Sequence, residues 1–481
     1  MLLAAAAGAM TWLAVYQVDD AFIVYRYARN FAQGAGFVFN PGERVEGVTC
    51  FLWTVLLAPF AAIGLDLPRV APVLTGVCGL ATIALTARRH AEAEGRTSLA
   101  PRDLVPALLL ASTPSFLYWS VGGLETVPFA LLVMLTVRDH ARMRSAIWLG
   151  LASLTRPETP VVVGALALDR LLRGTDRRAL ARWLAVVAAL FVPFLLVRRL
   201  YFDAWLPNTY FAKTGAPLAV RATAGWSYLQ EAAGSLVPAF GWKGWLVATL
   251  GLIVIAGLSV FALGSPRLRP EGLVVIALAA ACVFEGGDWM VLHRFLVPAL
   301  PPLAVLAGAA LLRAAGGLRD RRWAASAVGL ACVAHGILTA VEERNGGRGL
   351  RVQGEGYRHA HREIAAYLAE HGARGEAVAL MDVGMIGWYA PQLVVIDITG
   401  LTDREVARAP GGFLNKRYPV ERLLAREPRF FVLVPGFPAD DRIHDDPAFQ
   451  ARYRLRFALN HRFNWEPPSQ YNLHVFEKGP A

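Results

Sequence analysis

Long apolar stretches alternating with short Arg-rich connectors constrain this 481-residue chain more than any other feature. The stretches are Leu2–Val18, Val48–Gly64, Pro68–Ala87, Leu104–Tyr118, Thr126–Val137, Ala146–Ala167, Trp183–Val197, Trp245–Leu263, Gly272–Phe284, Val291–Leu312 and Trp323–Ala340. Between them lie the basic connectors Arg88–Arg102, Arg138–Arg144, Arg170–Arg182, Arg267–Arg269 and Arg313–Arg322. A soluble domain carries about 25% charged residues; here the charged share is 18% and the hydrophobic share 55%. A bilayer-spanning helix needs about 20 apolar residues, so the pattern predicts an α-helical polytopic membrane protein. The net charge of +11 and the pI of 9.8 would suit nucleic acid if the basic residues formed one patch. They sit instead in short connectors, as in cytoplasmic loops, which argues against a nucleic-acid partner.

The positive-inside rule places all of these connectors in the cytoplasm. If Asp19-Asp20 lie outside and Arg88-Arg89 inside, one crossing must separate them, yet two stretches are available. Val48–Gly64, interrupted by Pro59, is therefore expected to lie along or dip into the outer surface. Ala146–Ala167 has Arg on both flanks and is too short to cross twice. Thr155-Arg156-Pro157-Glu158 sits at its middle, and Pro breaks helices. The expectation is a hairpin of short helices whose turn faces an external cavity, because irregular backbone at membrane depth is tolerated only there. These corrections give about eleven transmembrane helices plus juxtamembrane helices, with the N-terminus inside and the C-terminus outside.

That topology gathers Asp19–Gly47, Val121–Glu125, Thr155–Glu158, Arg198–Gly241 and Glu285–Arg294 on the external face. These loops hold carboxylates, His, Asn, Lys and paired glycines, whereas the inner loops hold mainly Arg. An Asp near the bilayer centre costs roughly 2.5–3.5 kcal/mol, so Asp19-Asp20 mark either a plain exit from the membrane or a reaction site at its edge. Adjacent carboxylates couple, and one of them can be raised into the range of a general base. The plainer alternative is an N-cap for an amphipathic helix over Ala21–Gln33, of the kind that rests on a membrane surface. Cys50, Cys78, Cys282 and Cys332 lie in or beside apolar segments without CxxC spacing and read as small buried hydrophobes.

After Val341 the composition changes, and Glu342–Gly347 reads as a linker. The predicted division is a membrane domain over 1–342 and an extracytoplasmic (periplasmic) α/β domain over 343–481. In the latter, Tyr357–His371 has helical periodicity. Ala377–Met381, Leu393–Ile396, Phe430–Val434 and Tyr471–Phe476 read as strands, with Pro419–Arg426 helical. Asp382–Gly387 and Asp397–Asp403 follow strand-like runs but contain no GxGxxG fingerprint, so they read as turn formers.

The stretch Asp19-Asp20-Ala21-Phe22 … Tyr25-Arg26-Tyr27 … Asn40-Pro41-Gly42 resembles the first external loop of the GT-C superfamily. Gly122-Gly123-Leu124-Glu125, Thr155-Arg156-Pro157-Glu158, Leu206-Pro207-Asn208-Thr209-Tyr210-Phe211-Ala212-Lys213 and Gly286-Gly287-Asp288-Trp289-Met290 … His293-Arg294-Phe295 continue that pattern in order. The chain is most similar to the mycobacterial terminal arabinofuranosyltransferases within that superfamily. The resemblance implies a GT-C fold in a bacterial inner membrane, a polyprenyl-phosphate sugar donor, arabinofuranose as the sugar, an envelope polysaccharide acceptor, and an external domain able to hold a glycan, for which Trp388 and Tyr389 are suited. It implies Asp19 as the base and Asp20 as its partner, with the two roles exchangeable. Arg156, Lys213, His293 and Arg294 are then candidate donor-phosphate ligands, and Glu125, Glu158, Asn208 and Asp288 candidate acceptor or sugar ligands. Asp20, Glu125 and Asp288 are candidate ligands for a divalent cation (Mg, Mn or Ca). The plain alternatives are a salt bridge for Arg156 with Glu158, a snorkelling Lys213, and turn roles for Asn208 and Asp288. His293-Arg294 are expected to open a helix over Phe295–Leu312, where an N-terminus favours phosphate.

A second functional class is a non-enzymatic envelope or flagellar assembly factor of the same fold. A transporter would show midplane charges and inverted repeats, and the sequence has neither.

Overall fold

The computed structural model describes residues 1–14, 17–236, 244–316, 354–462 and 470–479. The stretch Trp323–Ala340 and the linker Glu342–Gly347 lie outside the described residues. The chain forms two compact units, and they do not follow a single cut near residue 342. One comprises Met1–Ala14, Ala71–Phe194 and Leu218–Gly346; the other comprises Val15–Val70, Leu195–Pro217 and Gly347–Ala481.

The first unit is helical. Among the described residues of the chain, Leu67–Ala93, Arg177–Phe202, Leu246–Leu263 and Val291–Gly316 are long and apolar enough to cross a membrane. Their outward apolar side chains include Val73, Val77, Val192, Ile253, Val254 and Val260, where lipid takes the place of a protein core. Other expected crossings are shorter or broken. Leu104–Tyr118 splits into Leu104–Ala111 and Pro114–Trp119, because Pro114 disfavours helix at Thr113. Ala146–Ala167 forms the expected hairpin, with helices Arg144–Ser153 and Thr159–Leu172 on either side of residues 154–158. The expected loop Arg198–Gly241 is largely helical, carrying Asn208–Lys213 and Leu218–Ser235.

Two apolar clusters fill this unit. Phe129, Val133, Leu149, Leu166, Trp183 and Leu278 centre one; Leu85, Met134, Ala262, Val305 and Leu306 centre the other. Because lipid is as apolar as Leu, helices in a membrane associate through close backbone approach at small residues. Gly225 shows this: a Cβ there would lie 2.5 Å from the Val283 carbonyl oxygen. The basic connectors are partly neutralised. Asp169 pairs with Arg173 at 2.5 Å and Arg269 at 2.6 Å, and Glu271 pairs with Arg89 at 2.8 Å.

The second unit contains a five-stranded mixed sheet of order β2-β1-β3-β5-β4. The strands are β1 (Ala377–Leu380), β2 (Val394–Asp397), β3 (Phe430–Leu433), β4 (Tyr453–Arg462) and β5 (Gln470–Lys478). β1 runs parallel to both β2 and β3, while β5 runs antiparallel to β3 and β4. β4 was not expected from the sequence, although Tyr453, Leu455, Phe457 and Leu459 alternate with polar or small residues as a strand should. Phe430, Phe431, Phe449 and Tyr453 pack beside the sheet, with Phe449 and Tyr453 stacked at 5.0 Å.

The helix Asp19–Ala32 belongs to this second unit. Its amphipathicity suggested a helix with one face open, but 10 of its 14 residues are buried in protein. Arg26 is 1% exposed and donates to the carbonyls of Phe39 (2.8 Å), Gly387 (2.5 Å) and Leu393 (3.1 Å). Asn40 closes the outer edge of the sheet: its amide donates to the Val395 carbonyl at 2.8 Å and accepts from the Val395 N–H at 3.1 Å. An edge strand otherwise leaves such groups open to other chains. The helix Phe51–Ala62, at 12 residues, is about 18 Å long and shorter than a bilayer core.

Candidate active site

The candidate residues fall into separate groups on the two units. In the second unit, Asp19 occupies the first turn of its helix, preceded by Val18 in extended conformation. Asp19 is 5% exposed. Its Oδ2 accepts from the Gly384 N–H at 2.6 Å and its Oδ1 from the Met385 N–H at 2.7 Å. Burial, reinforced by the charge of Asp382, pushes its carboxyl up to about 7 against the lowering effect of His361 and the two amides. Asp20 is half-buried.

Behind Asp19 stands a group that the sequence reading missed. His361 is fully buried; its Nε2 lies 2.9 Å from Asp382 Oδ2 and its Nδ1 lies 2.8 Å from the Tyr357 carbonyl oxygen. A carbonyl only accepts, so Nδ1 carries a proton. The carboxylate partner favours a second proton on Nε2, and Asp382 accordingly drives the His361 pKa upward against the opposing pull of burial. Asp440 is 1% exposed, and its Oδ1 accepts from the Val434 N–H at 2.8 Å. Asp397 acts as the expected turn former, accepting from the backbone of Thr399, Gly400 and Thr402.

Trp388 and Tyr389, suited by sequence to a glycan, are engaged by protein. Trp388 stacks under Arg29 at 4.1 Å and meets the Tyr25 ring edge-on at 6.1 Å; Tyr389 lies 5.9 Å from Phe22. Asn208 is likewise committed, its amide donating to the carbonyls of Gly400, Leu401 and Asp403 at 2.8–3.1 Å. Lys213 is half-buried with its Nζ 5.4 Å from the centre of the Phe413 ring. Among the described residues it is the expected phosphate ligand with no carboxylate in ion-pair range. The same unit opens a polar cavity of about 790 Å3 lined by Glu43, Arg44, Arg404, Tyr418, Arg422 and Arg426, among others.

In the first unit, Arg156 and its neighbours form a buried network. Arg156 Nη1 lies 3.0 Å from Glu125 Oε1, and its Nε lies 3.0 and 3.1 Å from the two Glu158 oxygens. All three residues are less than 10% exposed. Arg294 Nε pairs with Asp288 Oδ2 at 2.8 Å. Both guanidinium groups face the Phe295 ring, Arg156 at 5.2 Å and Arg294 at 5.5 Å. His293 Nε2 lies 4.0 Å from Glu231. The expected helix opening at His293-Arg294 is absent: Val291–Ala299 is a 3-10 segment and the α-helix starts at Leu300. Leu292 and His293 hold left-handed φ of 58° and 52°, a conformation costing non-glycine residues about 1–2 kcal/mol each. Ser115 Oγ and Trp119 Nε1 fix this turn by donating to the carbonyls of Leu292 and Val291 at 2.6 and 3.2 Å.

Of the expected metal ligands Asp20, Glu125 and Asp288, two are engaged by arginines. Arg156 engages Glu125, Arg294 engages Asp288, and among the described residues no group of three His, Cys, Asp or Glu side chains is gathered for a metal ion. Of the cysteines, Cys50 and Cys282 are buried and Cys78 is half-buried, all without a disulfide; Cys332 lies outside the described residues.

A family model described as a domain of unknown function (DUF8728) matches residues 349–476. The chain is 32% identical over 234 residues to the terminal beta-(1->2)-arabinofuranosyltransferase of Mycobacterium tuberculosis, covering 43% of this chain and 36% of that protein. It is 26% identical over 334 residues to the protein of the same name from Corynebacterium glutamicum, covering 60% of this chain and 47% of that protein. The chain thus spans less than half the length of either relative. The crystal structure of ArnT from Cupriavidus metallidurans bound to undecaprenyl phosphate superposes with a TM-score of 0.61 at 15% identity, over 100% of this chain and 98% of that one. The archaeal oligosaccharyltransferase AglB from Archaeoglobus fulgidus, in complex with an inhibitory peptide and a dolichol-phosphate, gives 0.53 at 13% identity, over 90% and 68%. The chain has the GT-C fold of these glycosyltransferases and resembles the terminal arabinofuranosyltransferases in sequence.

Proposed function

We propose that this protein is an inverting membrane glycosyltransferase that moves arabinofuranose from a polyprenyl phosphate to an envelope glycan. The observation that carries the reading is the carboxylate pair Asp19-Asp20, one member buried and raised to about 7, on a GT-C fold with arabinofuranosyltransferase-like sequence. A base for an acceptor hydroxyl works best with a pKa near the working pH. In the step proposed, the acceptor oxygen attacks the anomeric carbon as its proton passes to the carboxylate pair, and the polyprenyl phosphate leaves with the electrons of the broken C–O bond. Inverting transfer needs one such base, as in an inverting glycosidase. The phosphate is already a competent leaving group, so no strong acid is required. Lys213 is the cation assigned to the departing phosphate, on the principle that fixed charge stabilises charge as it develops. The polar cavity of about 790 Å3 supports a polyhydroxylated acceptor on the same unit. No step is assigned to a divalent cation; of its candidate ligands Glu125 is held by Arg156 and Asp288 by Arg294.

The test uses purified full-length protein with a polyprenyl-phosphate arabinofuranose and an arabinan acceptor. Labelled sugar should move to the acceptor. Asp19→Asn and Asp20→Asn should each lower turnover by about 100-fold or more, the scale of a lost general base. Wild-type turnover in both variants overturns the reading.

A further inference from the structure

In sheets with parallel strands, ligands bind beyond the carboxyl ends of those strands. Here β1, β2 and β3 are the parallel strands. Their carboxyl ends lead to Asp382, Asp397 and the turn before Asp440. Asp397 is consumed by its own turn. The end of β1 receives a group from far away in sequence, the carboxylate of Asp19, which takes the Gly384 and Met385 amides at 2.6 and 2.7 Å.

The approach depends on glycine. A Cβ at residue 384 would lie 2.0 Å from the Asp19 carbonyl oxygen and 2.8 Å from its Oδ2. His361 fixes the other side of the turn by its 2.9 Å contact with Asp382. Its ring is itself held, stacked on Tyr357 with centroids 3.8 Å apart.

We infer that Asp382, His361 and Gly384 are positioning residues for Asp19, so that the C-terminal α/β domain completes the catalytic carboxylate pair. This rests on the reading of Asp19 as part of that pair. A carboxylate held by two amides on a fixed turn is confined to one orientation, and misplacing a reacting group by about 1 Å can cost roughly 100-fold in rate.

The experiment compares Asp382→Asn, Gly384→Ala and Asp19→Asn in the purified full-length enzyme. Asp382→Asn keeps shape and volume while removing the charge that holds His361. Both positioning variants should lower kcat by about 10- to 100-fold while KM for donor and acceptor stays within about twofold. Asp382→Glu should recover part of the loss, which a merely structural role would not produce. Wild-type kcat in folded Asp382→Asn, with Asp19→Asn inactive, overturns the inference alone. Wild-type kcat in Asp19→Asn overturns instead the reading on which it stands. Should Gly384→Ala fail to fold, Asp382→Asn and Asp382→Glu decide the matter.

Discussion

At the scale of single residues, buried carboxylates are the unusual feature of the second unit. Asp440 takes one amide hydrogen on Oδ1, while its Oδ2 is buried without a hydrogen-bond partner among the described residues. Burial is the main reason its carboxyl is pushed up to about 8. An Asp in an unfolded chain titrates near 3.9. Between those values the folded protein holds a proton that the unfolded chain has released. The contribution to stability is therefore fully present below about pH 4, shrinks as pH rises, and is gone above about pH 8. Asp440→Asn places a neutral group of the same shape at the site. Thermal unfolding followed by tryptophan fluorescence should show the wild type losing Tm relative to Asp440→Asn between about pH 5 and 8, with the gap constant above that. Parallel curves for the two proteins over this range would contradict the assignment.

At the scale of elements, the hairpin Arg144–Ser153/Thr159–Leu172 shows what a charge within a membrane unit is for. Its turn was legible because Arg156, Pro157 and Glu158 interrupt an apolar run with Arg on both flanks. The sequence left open whether Arg156 meets a phosphate or a carboxylate. The structure gives it two carboxylates, Glu125 and Glu158, one of them 31 positions away. Removing one partner of a buried ion pair leaves an uncompensated charge and costs about 3–5 kcal/mol. Arg156→Leu should therefore lower the melting temperature in detergent markedly, and adding Glu158→Gln should restore part of the loss. A melting temperature equal to wild type would mean that the network does not hold the hairpin to the helix following Glu125. The same reasoning explains the unforeseen 3-10 segment Val291–Ala299. Left-handed Leu292 and His293 have no local signal, since neither is the glycine that such backbone favours; Ser115 and Trp119 impose it from another element.

At the scale of the whole molecule, what was legible was what repeats. Apolar runs with Arg flanks, and short β-branched runs in the C-terminal part, reflect local periodicity that single positions report independently. Asp19-Asp20 were legible as an anomaly, two charges where an apolar segment ends. His361, Asp382 and Gly384 were not, because Gly384 meets Asp19 across 365 positions and a turn-forming Asp-Val-Gly looks the same whether or not it grips a distant carboxylate. Sidedness is the property on which both halves of that reading meet. The positive-inside rule predicts residues 177–182 in the cytoplasm, and the proposed chemistry predicts the α/β domain on the side of its glycan acceptor. Arg178 and Gln450 are both exposed, so each can carry a single cysteine in a background lacking the native ones. In spheroplasts, a membrane-impermeant maleimide should label Gln450→Cys directly and Arg178→Cys only after the membrane is opened. Labelling of both before permeabilisation would contradict the cytoplasmic connector, and protection of Gln450→Cys until the membrane is opened would put the α/β domain inside, where a periplasmic acceptor could not reach the carboxylate pair.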